Sequence, residues 1–241
     1  FAKLNPPGGT CVEELSGILN LDSVTDSYRA NIFALKSLGV SHIISASAVG
    51  SLKEEMQPGQ LVFVDQFIDW TKGLRKKSFY DEGLVGHIST ADPIDQALLQ
   101  ELKTICTEKD ISFHPKGTYI CVEGPQFSSR AESKLYQSFG ADLVGMTNLP
   151  EAYLALEAGI SYVSMCMVTD YDAWQDKTAD VTEISLVLKK NKQSFFKVLS
   201  SLINKWPRLN LKTEKKQAKA FFTQKEAVSS THNKILEVLF A

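Results

Sequence analysis

From Val40 onward the sequence alternates short β-branched and apolar runs with amphipathic stretches at helical spacing, and this alternation constrains the fold more than any other feature. Chains with this pattern build βαβ units around a largely parallel or mixed sheet. The expected strands are Val40 to Ser45, Leu61 to Phe67, Thr118 to Val122, Asp142 to Met146 and Ser161 to Val168, each of a length typical of buried strands. Ser129 and Glu132 fit a capping box opening a helix that reaches about Phe139, with Gly140 as its left-handed stop. Pro150, at a first helical position, and Gly159 bracket another helix. Two long helices close the chain, from about Thr182 to Lys205 and from about Gln224 to Phe240. Asn5-Pro6-Pro7-Gly8-Gly9 opposes regular structure, and the stretch from there to about residue 25 has only a faint helical period. The expected organisation is therefore an atypical N-terminal segment, 1–26, and one α/β domain, 27–241, with no repeat and no linker.

At 241 residues, 44% hydrophobic and 22% charged, the chain can bury a substantial core within one domain. A formal net charge of −2 supplies no long-range attraction for nucleic acid or anionic lipid, and neither partner is expected. The densest basic runs, Arg75-Lys76-Lys77 and Lys212 to Lys219, read as solvated surface. Cys11, Cys106, Cys121 and Cys166 are widely spaced, with no C-x-x-C pair or histidine cluster, so reduced and mostly buried thiols are expected and no metal. No apolar run approaches the ~20 residues of a membrane span, and the N-terminus lacks a signal-peptide pattern. The expected compartment is the cytoplasm.

In open α/β sheets ligands collect beyond the carboxyl ends of the strands, so the residues after each predicted strand are the candidates for chemistry. Ser45 to Ser51 reads as a small-residue turn whose amides and hydroxyls could cradle a phosphate or carboxylate, or simply as a turn. Gly145-Met146-Thr147-Asn148 brings a hydroxyl and an amide off the sheet. Thr169-Asp170-Tyr171-Asp172 places two carboxylates after an apolar strand, where they can accept from amino or ring N–H donors or cap the next segment; they could also bind a metal, but no second acidic or histidine cluster sits at ligand spacing. Glu123 to Glu132 joins a strand to a capped helix through a Gly-Pro turn, with Phe127 either stacking on a flat ligand at the rim or buried in the core.

In this order, Tyr28-Arg29-Ala30-Asn31-Ile32, Ser47-Ala48-Val49-Gly50-Ser51-Leu52, Pro58-Gly59 with Asp65 to Asp69, Ser78-Phe79-Tyr80-Asp81, Glu123 to Ser133, Gly145-Met146-Thr147 with Pro150-Glu151-Ala152, and Thr169 to Asp172 resemble the purine nucleoside phosphorylase superfamily, in its methylthioadenosine phosphorylase branch. The resemblance covers roughly Ser27 to Pro207. It implies an α/β fold with a mixed, partly barrel-like sheet flanked by helices, a homotrimer, and attack of inorganic phosphate on C1′ of methylthioadenosine, with no other cofactor. It further implies that Ser47, Ala48 and Thr147 contact phosphate, Met146 and Thr147 the sugar, and Phe127 the nucleoside pocket. Asp170 and Asp172 fall where the family recognises adenine, Asp170 being the catalytic proton donor to N7. Ser128 and Ile184 match positions linked to substrate choice, and His87 one that reaches the neighbouring subunit's 5′ pocket. The family's glycine-rich phosphate loop and its Arg-His-Gly segment have no counterpart, Gly8-Gly9-Thr10 being only superficially similar to the loop. The alternative expectations are a nucleoside-binding homologue with an incomplete phosphate site and a nucleosidase that uses water.

Overall fold

The computed structural model describes residues 2–4, 10–12, 27–80, 83–176, 180–213, 223–224 and 227–240. Its strands are β1 (Ala2–Leu4), β2 (Thr10–Val12), β3 (His42–Ser51), β4 (Leu61–Phe63), β5 (Gln66–Trp70), β6 (Phe113–His114), β7 (Thr118–Val122), β8 (Leu143–Gly145) and β9 (Ser161–Tyr171). The helices are α1 (Ser27–Ser37), α2 (Gln96–Glu108), α3 (Arg130–Ser138), α4 (Glu151–Glu157), α5 (Val181–Lys205) and α6 (Ser230–Leu239).

One mixed sheet runs β5-β7-β8-β3-β9-β4-β6, and β2 joins the start of β3. The long strands β3 and β9 lie parallel at its centre, buried over nearly their whole length, and hold the two flanks together. At its start β3 pairs with β2, Thr10 facing His42, and at its end with antiparallel β8, Gly50 facing Val144. The sheet therefore branches at β3, whose start has β2 and β9 as neighbours and whose end has β8 and β9. Helices cover it: Leu98, Leu99, Leu102 and Ile105 of α2 and Val198, Leu199 and Leu202 of α5 enter the same apolar core as Phe63, Val163 and Met165 of the strands.

Several expectations need correction. Leu61 to Phe67 is not one strand: β4 pairs with β9 and β5 with β7, on opposite flanks, and Val64-Asp65 carries the chain between them. Ser45 to Ser51 is not a turn but the second half of β3, because β9 pairs with it residue by residue as far as Val49↔Val168. β9 in turn runs past Val168 to Tyr171, so Asp170 lies within the strand. The N-terminal segment holds regular structure, an antiparallel β1–β2 pair that extends the sheet; Asn5 to Gly9 lie outside the described residues. α1 has no distinct apolar stripe to announce it, yet it packs Ile32 and Leu35 into the core. The last helix begins at Ser230 with Ser229 as its cap, later than expected.

The capping box is present: Ser129 accepts from the Glu132 amide, Glu132 reaches back to the Ser129 amide, and Gly140 follows with φ 78°. Pro150 stands one residue earlier than expected, at the cap position of α4. Cys106, Cys121 and Cys166 are free and buried, and burial pushes the Cys106 and Cys166 thiols up to about 12. The basic run is not all surface, since Arg75 is buried and Lys77 pairs with Asp69 at 2.7 Å. Most of Lys212 to Lys219 lies outside the described residues, as does Asp81.

Candidate active site

Strand side chains alternate between the two faces of a sheet, and here β3, β8 and β9, with the residues directly after β8 and β9, bring four of the expected polar residues to one region. β3 and β8 run antiparallel with Gly50 opposite Val144, and the same register continued past Gly145 sets Ser47 across from Thr147. Their hydroxyls meet at 2.6 Å, with Ser47 only 4% exposed. Ala48, the next residue on β3, is exposed. Asn148 turns the other way, into a buried network: its amide donates to Ser164 Oγ at 2.7 Å and its carbonyl accepts from Ser45 Oγ at 3.3 Å and Tyr162 Oη at 3.4 Å. Tyr162 also lies 2.7 Å from Glu151 Oε1. Asn148 thus serves the base of the Thr147 segment rather than a ligand.

On the other side of β3, the ladder with β9 slips between Val49 and Gly50, so that Gly50 faces Asp170 and Thr169 is the extra residue. Bulges of this kind bend a strand and redirect the side chains beside it. Asp170 Oδ1 is 2.6 Å from Thr169 Oγ1. Burial holds the Asp170 carboxyl up at about 6, opposed by the Thr169 bond and reinforced by the negative charge of Asp172. A carboxyl in that range is still largely protonated at mildly acidic pH and can donate as well as accept. Asp172 is 7% exposed and its Oδ2 is buried with no partner among the described residues. A buried carboxylate oxygen without a donor is costly unless a ligand supplies one. Gly50 leaves room for it: a Cβ there would stand 3.4 Å from Asp172 Cβ and 3.2 Å from Val144 Cγ1.

The segment on either side of Asp172 is fastened down. Trp174 Nε1 donates to the Ser51 carbonyl at 2.8 Å, Tyr171 Oη to the Glu54 carbonyl at 2.9 Å, and Arg130 on α3 to the carbonyls of Gln175 at 2.8 Å and Asp176 at 3.1 Å. Through Arg130 the helix after Phe127 and Ser128 is joined to the loop after Asp172. Phe127 is 70% exposed, which excludes the core alternative and leaves its ring at the rim; Ser128 lines a small cavity beside it, with Glu123, Gly124 and Tyr136. Met146 packs under Gly124, whose φ of +74° favours glycine; a Cβ there would overlap Met146 Sδ and oblige the Met146 side chain to shift. Ile184 is half-buried in the first turn of α5, and His87 is exposed in the connection after β5, where Gly86 lies beneath the Tyr80 ring. Neither belongs to the β3–β8–β9 cluster itself.

Sequence reading misses Arg75. Its guanidinium donates to Glu123 Oε1 at 2.7 Å, to the carbonyls of Met146 at 2.7 Å and Leu149 at 2.6 Å, and to that of Glu123 at 3.1 Å, with the Tyr28 ring centroid 5.4 Å away. One side chain thus ties the end of β7 to the Met146–Leu149 segment that carries Thr147. Its place beside Lys76 and Lys77 in a basic run hides it, and only the planar five-donor chemistry of arginine is there to find.

Among the described residues no group of three or more His, Cys, Asp or Glu is placed to hold a metal ion, and no helix is long and apolar enough to cross a membrane.

Residues 21–204 match the model of the phosphorylase superfamily. The chain is 48% identical over 182 residues to S-methyl-5′-thioadenosine phosphorylase of Hyperthermus butylicus, covering 75% of this chain and 66% of that protein. It is 49% identical over 180 residues to the enzyme of the same name from Pyrococcus furiosus, covering 75% and 69%. The chain thus spans about two thirds of the length of these relatives. Its structure superposes on a methylthioadenosine phosphorylase from an antarctic soil metagenomic library with a TM-score of 0.85 at 40% identity, over 91% of this chain and 78% of that one. On a Schistosoma mansoni adenosine/methylthioadenosine phosphorylase mutant in complex with methylthioadenosine the TM-score is 0.71 at 28% identity, over 88% and 75%. With the sheet branched at β3, the facing hydroxyls and the paired aspartates at its end, this chain belongs to the phosphorylase superfamily.

Proposed function

We propose that this chain catalyses phosphorolysis of S-methyl-5′-thioadenosine to adenine and 5-methylthioribose 1-phosphate. The observation that carries the reading is the junction on β3 of a hydroxyl pair, Ser47 and Thr147, with a carboxyl pair, Asp170 and Asp172, one of which is held near neutrality by burial. The hydroxyls, with the exposed Ala48 segment, suit an oxyanion; the carboxyls suit a ring that offers donors and needs a proton.

Phosphate attacks C1′ as the C1′–N9 bond breaks, and the bond's electrons pass to the purine. Asp170 delivers its proton to N7, so adenine leaves neutral, and the anionic phosphate offsets the positive charge that grows on the ribose. Asp172 accepts from the exocyclic 6-amino group, a role that a 6-oxo purine would oppose by facing a carbonyl oxygen to a carboxylate. Met146 lies against the sugar, Phe127 and Ser128 close the nucleoside side, and Ile184 bears on substrate choice. Inorganic phosphate is the co-substrate and no other cofactor takes part.

The working assembly in this reading is a cytoplasmic homotrimer in which His87 reaches a neighbour's 5′ pocket. An exposed aromatic pair supports association: Trp70 is 44% and Phe139 43% exposed, their rings 5.1 Å apart, with Leu135 one turn before Phe139 on α3. Light scattering should give the mass of three chains; an active monomer would remove the trimer. Product analysis by mass spectrometry tests the reaction. With methylthioadenosine and phosphate it should yield adenine and the sugar 1-phosphate, while inosine is left unchanged; equal consumption of inosine would contradict the role given to the two aspartates.

A further inference from the structure

The bulged residue of β9 has a function of its own in the geometry. The β3–β9 ladder is regular from His42↔Ser161 to Val49↔Val168 and resumes at Gly50↔Asp170, so Thr169 has no partner residue across it. Its hydroxyl takes up the break. Oγ1 lies 3.2 Å from the Val49 carbonyl, at the point where the ladder slips, and 2.6 Å from Asp170 Oδ1, and Thr169 is 5% exposed. A hydroxyl has one hydrogen to give and a carbonyl can only accept. While Asp170 is ionised, that hydrogen serves the shorter contact, to Oδ1. If the proton of the neutral acid sat on Oδ1, it would point at Thr169 and be spent on the Val49 relay. If it sits on Oδ2, the Thr169 donation to Oδ1 is kept and the acidic hydrogen faces away from the strand.

We propose that Thr169 is a positioning residue for Asp170: donating to Oδ1 from the bulge, it reserves Oδ2 as the oxygen that carries the proton and presents it to the ligand. This rests on the reading of Asp170 as the acid toward the purine. The surroundings leave few competitors. Asp172 is the charged group acting on Asp170. β3 offers Val49 and Gly50 at this point, and from α5 the uncharged Asn191 gives its amide to the Val168 carbonyl, 2.8 Å away. The Thr169 bond favours the ionised carboxylate, while burial and Asp172 oppose it, so removing the bond moves the titration upward.

The test is a pH titration of the Asp170 carboxyl by carbon NMR in aspartate-labelled, ligand-free protein, for the parent chain, Thr169→Val and Thr169→Ser. Thr169→Val should raise the midpoint by about one pH unit, the scale of one hydrogen bond to an ionised acceptor. Thr169→Ser, which keeps the hydroxyl, should titrate as the parent does. In turnover, Thr169→Val should lower kcat roughly tenfold with KM within about twofold, the mark of an interaction that matters in the transition state. An unchanged midpoint in Thr169→Val would overturn the proposal, as would an equal rise in Thr169→Ser, which would make packing of the methyl the cause. If Thr169→Val does not fold, Thr169→Ala removes the same hydroxyl without adding bulk, and the same two outcomes decide. The titration needs no turnover, so a parent chain inactive on methylthioadenosine would sink the functional reading while the midpoints still settled the role of Thr169.

Discussion

Asp170 occupies a place that penalises its charge, and the penalty has two measurable consequences. Replacing it with alanine should lower the chemical step by ~10²–10⁴-fold with the fold intact, the usual effect of losing a general acid, as read by single-turnover kinetics; near-normal turnover would take Asp170 out of the mechanism. The second consequence is in stability. The folded carboxyl titrates at about 6 against the ordinary 3.8, so the folded state binds the proton more tightly than the unfolded one. That favours folding fully below the unfolded value and is lost as pH rises from about 4 through 6. Asp170→Asn should therefore melt higher than the parent at pH 7 and show no such advantage at pH 3.5, measured by thermal unfolding across that range; an advantage independent of pH would mean that charge is not its cause. Ser47 and Thr147 are singled out by the family resemblance and not by their own surroundings, whereas the two aspartates are legible because paired acids after an apolar run are conspicuous. Thr169 is not, since its importance comes from a ladder slip between two strands far apart in the chain, and no local pattern records a register.

At the scale of elements, the strands of the central sheet are readable where they are long and apolar, and misleading where the chain changes neighbour. β4 and β5 lie in one mostly apolar stretch broken by Asp65-Gln66 and Asp69, and whether that stretch is one strand or two is decided by β9 and β7, not by its own residues. The end of β3 reads as a turn because Ser, Ala and Gly suit turns; here the ladders with β9 and β8 hold it extended instead. The Arg75 clamp belongs to this scale, because it joins β7 to the segment between β8 and α4. Arg75 and Glu123 are almost fully buried, with side chains 1% and 6% exposed. Removing one member leaves the other's charge and several carbonyls without a partner, so Arg75→Met should destabilise the chain by ~3–5 kcal/mol in denaturant unfolding. Pairing it with Glu123→Gln should recover part of that loss, since the stranded carboxylate is then gone. A double variant no more stable than Arg75→Met would assign the loss to the backbone carbonyls that Arg75 serves, those of Val122, Glu123, Met146 and Leu149, and not to the stranded carboxylate.

For the whole molecule, the α/β class and the division into helices around a mixed sheet come from periodicity, whereas the branching at β3 does not, because pairing with β2, β8 and β9 along one strand is a property of the assembled sheet. The same branching places the candidate site: one strand carries Ser47 toward Thr147 and Gly50 toward the two aspartates, so in the proposed reading anion and purine recognition share β3. The central claim is that this arrangement directs phosphate, rather than water, at the nucleoside. The most direct measurement is the rate of adenine release from methylthioadenosine by the purified protein, with and without inorganic phosphate. The account predicts release that depends on phosphate and saturates with it; release at the same rate in its absence would contradict phosphorolysis and make the chain a hydrolase, and no release with nucleoside still bound would leave a pocket without the chemistry.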